Sequence, residues 1–326
     1  MPQYPSPLER VPRRGGRGFL NPAYSVILFT IASGAGYGLL FLLGLVGISH
    51  GKASSLAFAA TTMVVALGLI TIGLLSSTFH LGHPERAWRA FSQWRSSWLS
   101  REGVLAVLTY PIALLFALYW SGIVDCPRAI APLGIATAVM CMATVYCTAM
   151  IYASLKTIRQ WKHALTVPVY LVFALATGAC LLAAIAFPFG RLQAVQLAIA
   201  AIAILAVIIL KAIYWRSIDA EQRTRTTGHA TGLGENVRQW EVPHTAINFV
   251  QKEMGFVVAR KHVQRLRKLT LLLLALALIS ALLAWVISPF AILAALLSLS
   301  AAVVERWLFF AEAEHISMLY YGMPKA

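Results

Sequence analysis

Apolar residues in this chain come in long blocks rather than alternating with polar ones. Eight blocks run over roughly 22–47, 55–79, 102–122, 131–152, 168–187, 192–214, 269–287 and 290–315. A helix needs about twenty apolar residues to cross a hydrocarbon layer ~30 Å thick. In lipid, only helices and closed barrels satisfy the backbone's own hydrogen bonds. A large soluble helical protein would carry a polar stripe on each helix, and most of these blocks carry none. The pattern predicts an all-α integral membrane protein, an eight-transmembrane-helix bundle whose last two helices form a hairpin at Ser288-Pro289.

The polar intervals set the organisation: a Pro- and Arg-rich basic tail over 1–21, six spans over 22–215, a soluble segment over 216–267, and two more spans with a C-terminal tail over 268–326. The first half of the soluble segment is rich in Gly and Thr. From Pro243 onward Ile247, Val250, Met254, Val257 and Val258 recur at helical spacing among Lys252, Arg260, Lys261, Arg265, Arg267 and Lys268. That predicts a basic amphipathic helix for a lipid surface or a partner subunit.

Charge then gives orientation. Lys52, Arg128 and Arg191 fall on one side of the predicted membrane, and the other 24 of the 27 Lys and Arg on the opposite side. Positive residues mark the cytoplasmic face, so both termini are expected there, in a multi-pass protein of the bacterial inner membrane. A net charge of +15 with a mean hydropathy of +0.74 reads as topology and attraction to anionic lipid and acidic partners, with no nucleic-acid role. Arg13-Arg14 reads as the positive anchor of the first span, not as a twin-arginine signal. The four cysteines form no C-x-x-C pair and three lie in apolar blocks. They read as small fillers, and neither an iron–sulfur cluster, a zinc site nor any other metal site is expected in this chain.

The densest chemistry lies between the second and third blocks, from His80 to Glu102. Gly82 and Pro84 end the preceding helix. Trp88, Phe91, Trp94 and Trp98 share one side of a helical wheel with Arg86, Arg89 and Arg101 around them, as in a segment lying at a membrane surface. Ser100 is the expected N-cap of the next helix, with Glu102 in its first turn. In the last block, Arg306 is a charge inside a span, where such groups face a cavity or one another. Counting back from His315 places it at a depth His80 could meet. A structural ion pair with Glu305 or Glu312 is the alternative. Tyr152, Lys156 and Arg159 recur at helical spacing on the same face, either as belt anchors or as ligand contacts. The glycines of the first span predict close packing, with an opening for a flat ring beside Tyr24 or Tyr37 as the lesser reading. The fifth and sixth blocks are nearly featureless.

An imidazole that titrates near neutrality and a guanidinium that stabilises an oxyanion suit a quinone. A proton-coupled transporter would also keep buried His, Arg and Glu, although no internal repeat of the transporter kind is visible. Haem would need paired axial histidines, and only His80 and His315 could supply them, so none is expected.

Three motifs then make a resemblance. His80-Leu81-Gly82-x-Pro84-x-Arg86-Ala87 with Ser97-Trp98-Leu99-Ser100-Arg101-Glu102, Ile151-Tyr152-Ala153-Ser154-Leu155, and Glu305-Arg306-Trp307-Leu308-Phe309-Phe310 resemble the membrane-anchor subunits of the DMSO reductase family over nearly the whole chain. The resemblance implies a partner with molybdopterin, a ferredoxin-like partner with [4Fe-4S] clusters, and a quinone (ubiquinone or menaquinone) bound by the anchor, with His80 as the functional histidine. The cytoplasmic orientation and the basic insert after Pro243 look most like the anchor of a cytoplasm-facing sulfite dehydrogenase. A quinol-oxidising anchor of a DMSO-type reductase would run the same site backwards. The expected quinone contacts are His80, Arg306, Tyr152, Tyr24, Glu85, Arg86 and Trp88. The expected partner-docking residues are Arg89, Arg101, Lys156, Arg159, Lys252 and Arg260.

Overall fold

The computed structural model describes residues 24–78, 83–221, 226–234, 237, 240 and 257–320. Among the described residues eight helices are long and apolar enough to cross a membrane: α1 (Tyr24–His50), α2 (Leu56–Thr78), α3 (Trp98–Trp120), α4 (Pro127–Ala153), α5 (Thr166–Ala186), α6 (Ala194–Ala220), α8 (Val257–Leu283) and α9 (Phe290–Ala311). A short α7 (Thr227–Thr231) and two 3₁₀ segments, Pro84–Gln93 and Ile316–Leu319, lie between or after them. An isolated antiparallel bridge joins Ile158 to His315.

The bundle is organised around α1, which packs on α2, α4, α5 and α9, and α5, which packs on α1, α4, α6 and α9. Small residues make this possible. A Cβ on Gly38 would overlap the Ala174 carbonyl, and one on Gly178 would overlap the backbone of Gly38. In lipid, such close approach is what holds helices together, because tails are as apolar as side chains. The tight-packing reading of the first-span glycines therefore holds at Gly36, Gly38, Gly44 and Gly47. Gly34 is different, since a Cβ there would meet nothing within 4 Å.

Four local expectations need revision. The N-cap of α3 is Ser97, whose hydroxyl accepts from the Ser100 amide at 3.4 Å; Ser100 is already helical. The tryptophan-rich stretch winds as a 3₁₀ helix over Pro84–Gln93, and Phe91 rests over Gly103 of α3. Of the expected basic amphipathic helix, residues 243–256 lie outside the described residues, and 257–268 form the first three turns of α8 itself, where Leu266 and Leu271 find apolar cover on Tyr214, Trp215, Ile218 and Leu308. Finally, α9 stops at Ala311 instead of running to 315. Gln160 pins the turn that follows: its Oε1 accepts from the Glu314 amide at 3.1 Å and its Nε2 donates to Glu314 Oε2 at 3.2 Å.

Both helices that look featureless in sequence contribute to the charged end. α5 supplies Tyr170 and Phe173 beneath Arg306, and α6 buries Lys211.

Candidate functional site

One end of the bundle, where α1, α3, α5 and α8 begin and α2, α4, α6 and α9 finish, gathers the buried charge. Arg306 is 4% exposed and reaches a small cavity between α1, α4, α5 and α9. Its Cζ lies 3.8 Å from the Tyr170 ring centroid and 5.4 Å from that of Phe309. Its Nη2 pairs with Glu305 Oε2 at 3.3 Å, while Nη1 is buried without a hydrogen-bond partner among the described residues. Leaving such a donor unpaired in an apolar setting costs several kcal/mol at the order of magnitude, so a partner is expected from outside the described chain.

The other walls mix apolar side chains with hydroxyls. Thr30 donates to its own helix at Val26 and Ile27, Ser33 to Phe29 (2.6 Å) and Thr177 to Phe173 (2.8 Å). Their protons are committed to backbone carbonyls, which leaves oxygen lone pairs as acceptors. The fourth hydroxyl, Thr148, donates to Glu102 Oε1 at 2.5 Å. Glu102 is 4% exposed, so a second carboxyl is held one side chain behind the cavity wall. The cavity thus offers one cationic donor, several acceptors and a carboxyl relayed by a threonine. Its free volume is about 20 Å³, room for about one water. Gly34 lines it, and a Cβ there would meet nothing within 4 Å.

Next to the cavity stands an aromatic cluster. Tyr152 is 5.9 Å from Tyr170, 5.2 Å from Trp161, 5.6 Å from Phe309 and 5.3 Å from Phe310, centroid to centroid. Trp161 Nε1 donates to the Phe309 carbonyl at 2.8 Å. Tyr152 therefore meets the Arg306 neighbourhood through Tyr170.

The remaining expected contacts are placed as follows. His80 lies outside the described residues. α2 nonetheless ends at this end of the bundle, since Ser76 Oγ donates to the Ser25 carbonyl at 2.9 Å. Tyr24, at the mouth of α1, is exposed. Glu85 and Arg86 are exposed at the start of the 3₁₀ segment, where Glu85 pairs with His83 at 3.0 Å and with Arg86 at 3.7 Å. Trp88 is 66% exposed. None of these four lines the cavity.

Of the docking residues, Arg89 is exposed, 5.7 Å from the Trp88 ring centroid, and Lys156 is exposed on the loop after α4. Arg101 donates to the Trp94 and Arg95 carbonyls at 3.0 and 2.6 Å. Arg159 donates to the Ile218 and Glu221 carbonyls at 3.1 and 3.0 Å. Both are therefore tied to this chain's own loops. Lys252 and the Arg260 side chain lie outside the described residues.

A second feature is not apparent from the sequence pattern. The Lys211 ammonium, 1% exposed, lies 2.8 Å from Glu305 Oε1. Further out, Arg267 grips Glu312 at 2.9 and 3.1 Å and Asp219 at 2.6 Å. These last three line an open vestibule of about 470 Å³ together with Arg159, Gln160 and Glu314. Burial pushes the Glu312 carboxyl above the usual carboxylate range, with Arg267 pulling it back. Burial holds His163 and His315 below the ordinary imidazole value. A signal for Lys211 does exist in the sequence, as a lysine within an apolar block, but it stands near the block's end and reads with the loop that follows. Arg267 is hidden in a basic run.

Fold and site together define a class: a multi-pass membrane protein whose helices close at one end around a buried guanidinium and a small polar cavity. The three motifs that carried the resemblance converge there, through Glu102, Tyr152 and Arg306. The chain belongs to the DMSO reductase anchor subunit family (DmsC), which it matches over residues 18–323. It is similar to a subunit of the sulfite dehydrogenase of Allochromatium vinosum, with 33% identity over 93% of this chain and 99% of that protein.

Proposed function

We propose that this chain is the quinone-reactive anchor of a sulfite-oxidising complex, with quinone as its substrate. In this reading a molybdopterin subunit oxidises sulfite, a ferredoxin-like iron–sulfur subunit transfers the electrons, and both dock on the cytoplasmic face. That face is the Arg306 end of the bundle, where α1 begins and α9 ends. The observation that carries the reading is the buried Nη1 of Arg306, unpaired among the described residues, at a cavity with apolar and hydroxyl walls. A quinone head accepts hydrogen bonds at two carbonyl oxygens, and negative charge develops on them as electrons arrive. Arg306 would bind one oxygen and stabilise that charge. Thr148 and Glu102 would present an exchangeable proton from the opposite wall. His80 would hand protons in from the cytoplasmic side, and Tyr152, through Tyr170, would keep the guanidinium in place.

The ring is larger than the present free space. Entry would be beside Gly34 and needs side chains to give way, as binding sites commonly do. Protons and electrons enter from the same side, which makes the step electroneutral.

The test uses the assembled complex. Arg306→Leu is expected to lower quinone reduction by roughly 10²–10³-fold, the loss typical of one oxyanion donor, while sulfite oxidation with an artificial acceptor persists. Unchanged quinone reduction would overturn the reading. Quinol oxidation without sulfite-driven reduction would assign the site to a reductase running in the opposite direction.

A further inference from the structure

Arg306 does not end the buried charge. Glu305 bridges two cations, with Oε2 toward Arg306 at 3.3 Å and Oε1 toward Lys211 at 2.8 Å. Both Glu305 and Lys211 are essentially sealed from outside, at 0% and 1% exposure. Two cations with one carboxylate leave a net positive charge deep in a bundle, where each charge costs several kcal/mol at the order of magnitude unless it is paired or used. A packing role for α6 against α9 would be filled as well by apolar side chains.

The triad also points somewhere. The Lys211 ammonium lies 4.2 Å from the Tyr214 ring centroid and 4.5 Å from that of Trp215. Tyr214 Oη donates to the Gln160 carbonyl at 2.8 Å, and Gln160 lines the vestibule. Trp215 is capped on the vestibule side by Arg267, 5.5 Å from its ring centroid. One aromatic layer therefore separates Lys211 from the vestibule. Along α9, Glu312 lies seven residues beyond Glu305, about 10 Å.

We propose that Lys211 and Glu305 form a proton relay from the Arg267–Glu312–Asp219 vestibule to the Arg306 cavity. The inference rests on the quinone reading above. In each cycle the iron–sulfur donor of the partner supplies two electrons and the aqueous vestibule supplies protons. Lys211 releases a proton to Glu305, Glu305 releases it to the reduced oxygen beside Arg306, and Lys211 regains one from vestibule water. One proton by this route and one from the Thr148–Glu102 wall, with two electrons, convert quinone to quinol, and the pair returns to its starting charge. The groups that face the pair electrostatically are Arg306 and Glu312 of α9 and its C-terminal turn, Tyr214 of α6 and Tyr170 of α5.

The experiment compares Glu305→Gln, Glu305→Asp and Lys211→Met in the assembled complex, following quinone reduction across pH with an artificial-acceptor assay as the control. Glu305→Gln and Lys211→Met are expected to slow quinone reduction by at least about tenfold, to flatten its pH profile and to raise its solvent deuterium isotope effect. Glu305→Asp is expected to recover part of the rate. Asp219→Asn, half-exposed at the vestibule, is expected to shift the profile without disturbing assembly. A purely structural pair would lower the amount of assembled complex yet leave the rate per complex and the pH profile unchanged, and that result would overturn the relay. Wild-type complex unable to reduce quinone would instead overturn the quinone reading itself.

Discussion

The two ends of the bundle solve the same problem differently. At the end away from Arg306, where α1 meets α2, the interior is an aromatic plug. Trp120 stacks on Phe116 at 5.6 Å, and Phe58 meets Trp120 and Phe189 edge-on at 6.2 and 5.6 Å. Its one described ion pair, Lys52 with Asp125 at 3.7 Å, is solvent-exposed and worth little. At the Arg306 end, Glu102, Lys211, Arg267, Glu305, Arg306 and Glu312 are all buried. An apolar plug is the cheaper way to close a bundle in lipid. That the charged end keeps its charges is the physical case for chemistry there.

The largest expected effect comes from unbalancing the charged end. Arg267→Met removes the partner of Glu312 and Asp219 together. Breaking a buried pair by deleting one member costs about 3–5 kcal/mol, so the variant should accumulate poorly and melt earlier in detergent. A melting temperature equal to wild type would show that the network is dispensable.

Glycines separate the packed seam from the cavity. Gly38→Ala drives a methyl into the Ala174 carbonyl, and overpacking of this kind costs about 1–3 kcal/mol. Gly34→Ala meets no atom, so stability should hold while the KM for quinone rises a few-fold. Equal loss of stability in the two variants would remove the distinction between seam and opening.

The smallest effect is one of pH. Burial lowers the pKa of His163 and His315 at the loop edge of the charged end. A histidine with a depressed folded pKa binds its proton more readily when unfolded. Its contribution is therefore complete above the unfolded value of about 6.5 and fades as pH falls through the folded value. Acidification below about pH 6 should loosen the loop between α4 and α5, detectable as lower amide protection factors around Ile158, each normalised to the intrinsic exchange rate at that pH. Protection factors unchanged between pH 7 and 5 would show that neither histidine matters to the loop.

Eight spans, their order, and a charge buried near one end of the last span were all legible along the chain. Length and hydropathy fix depth, because each helical residue advances about 1.5 Å and an apolar run of this length spans lipid as a helix. The chain could not say which side of a helix faces which neighbour. Lys211, Arg267 and Glu102 each had a readable depth, yet only the packing of α6 on α9, α8 on α6 and α3 on α4 revealed their partners. The same azimuthal freedom left Glu85, Arg86 and Trp88, close to His80 in sequence, on the outside of the bundle. Linear pattern thus determined a helical membrane protein with polar chemistry near one face. Tertiary structure alone decided that the guanidinium meets a cavity with one donor unpaired among the described residues, since that depends on helix rotation and close backbone approach through glycine.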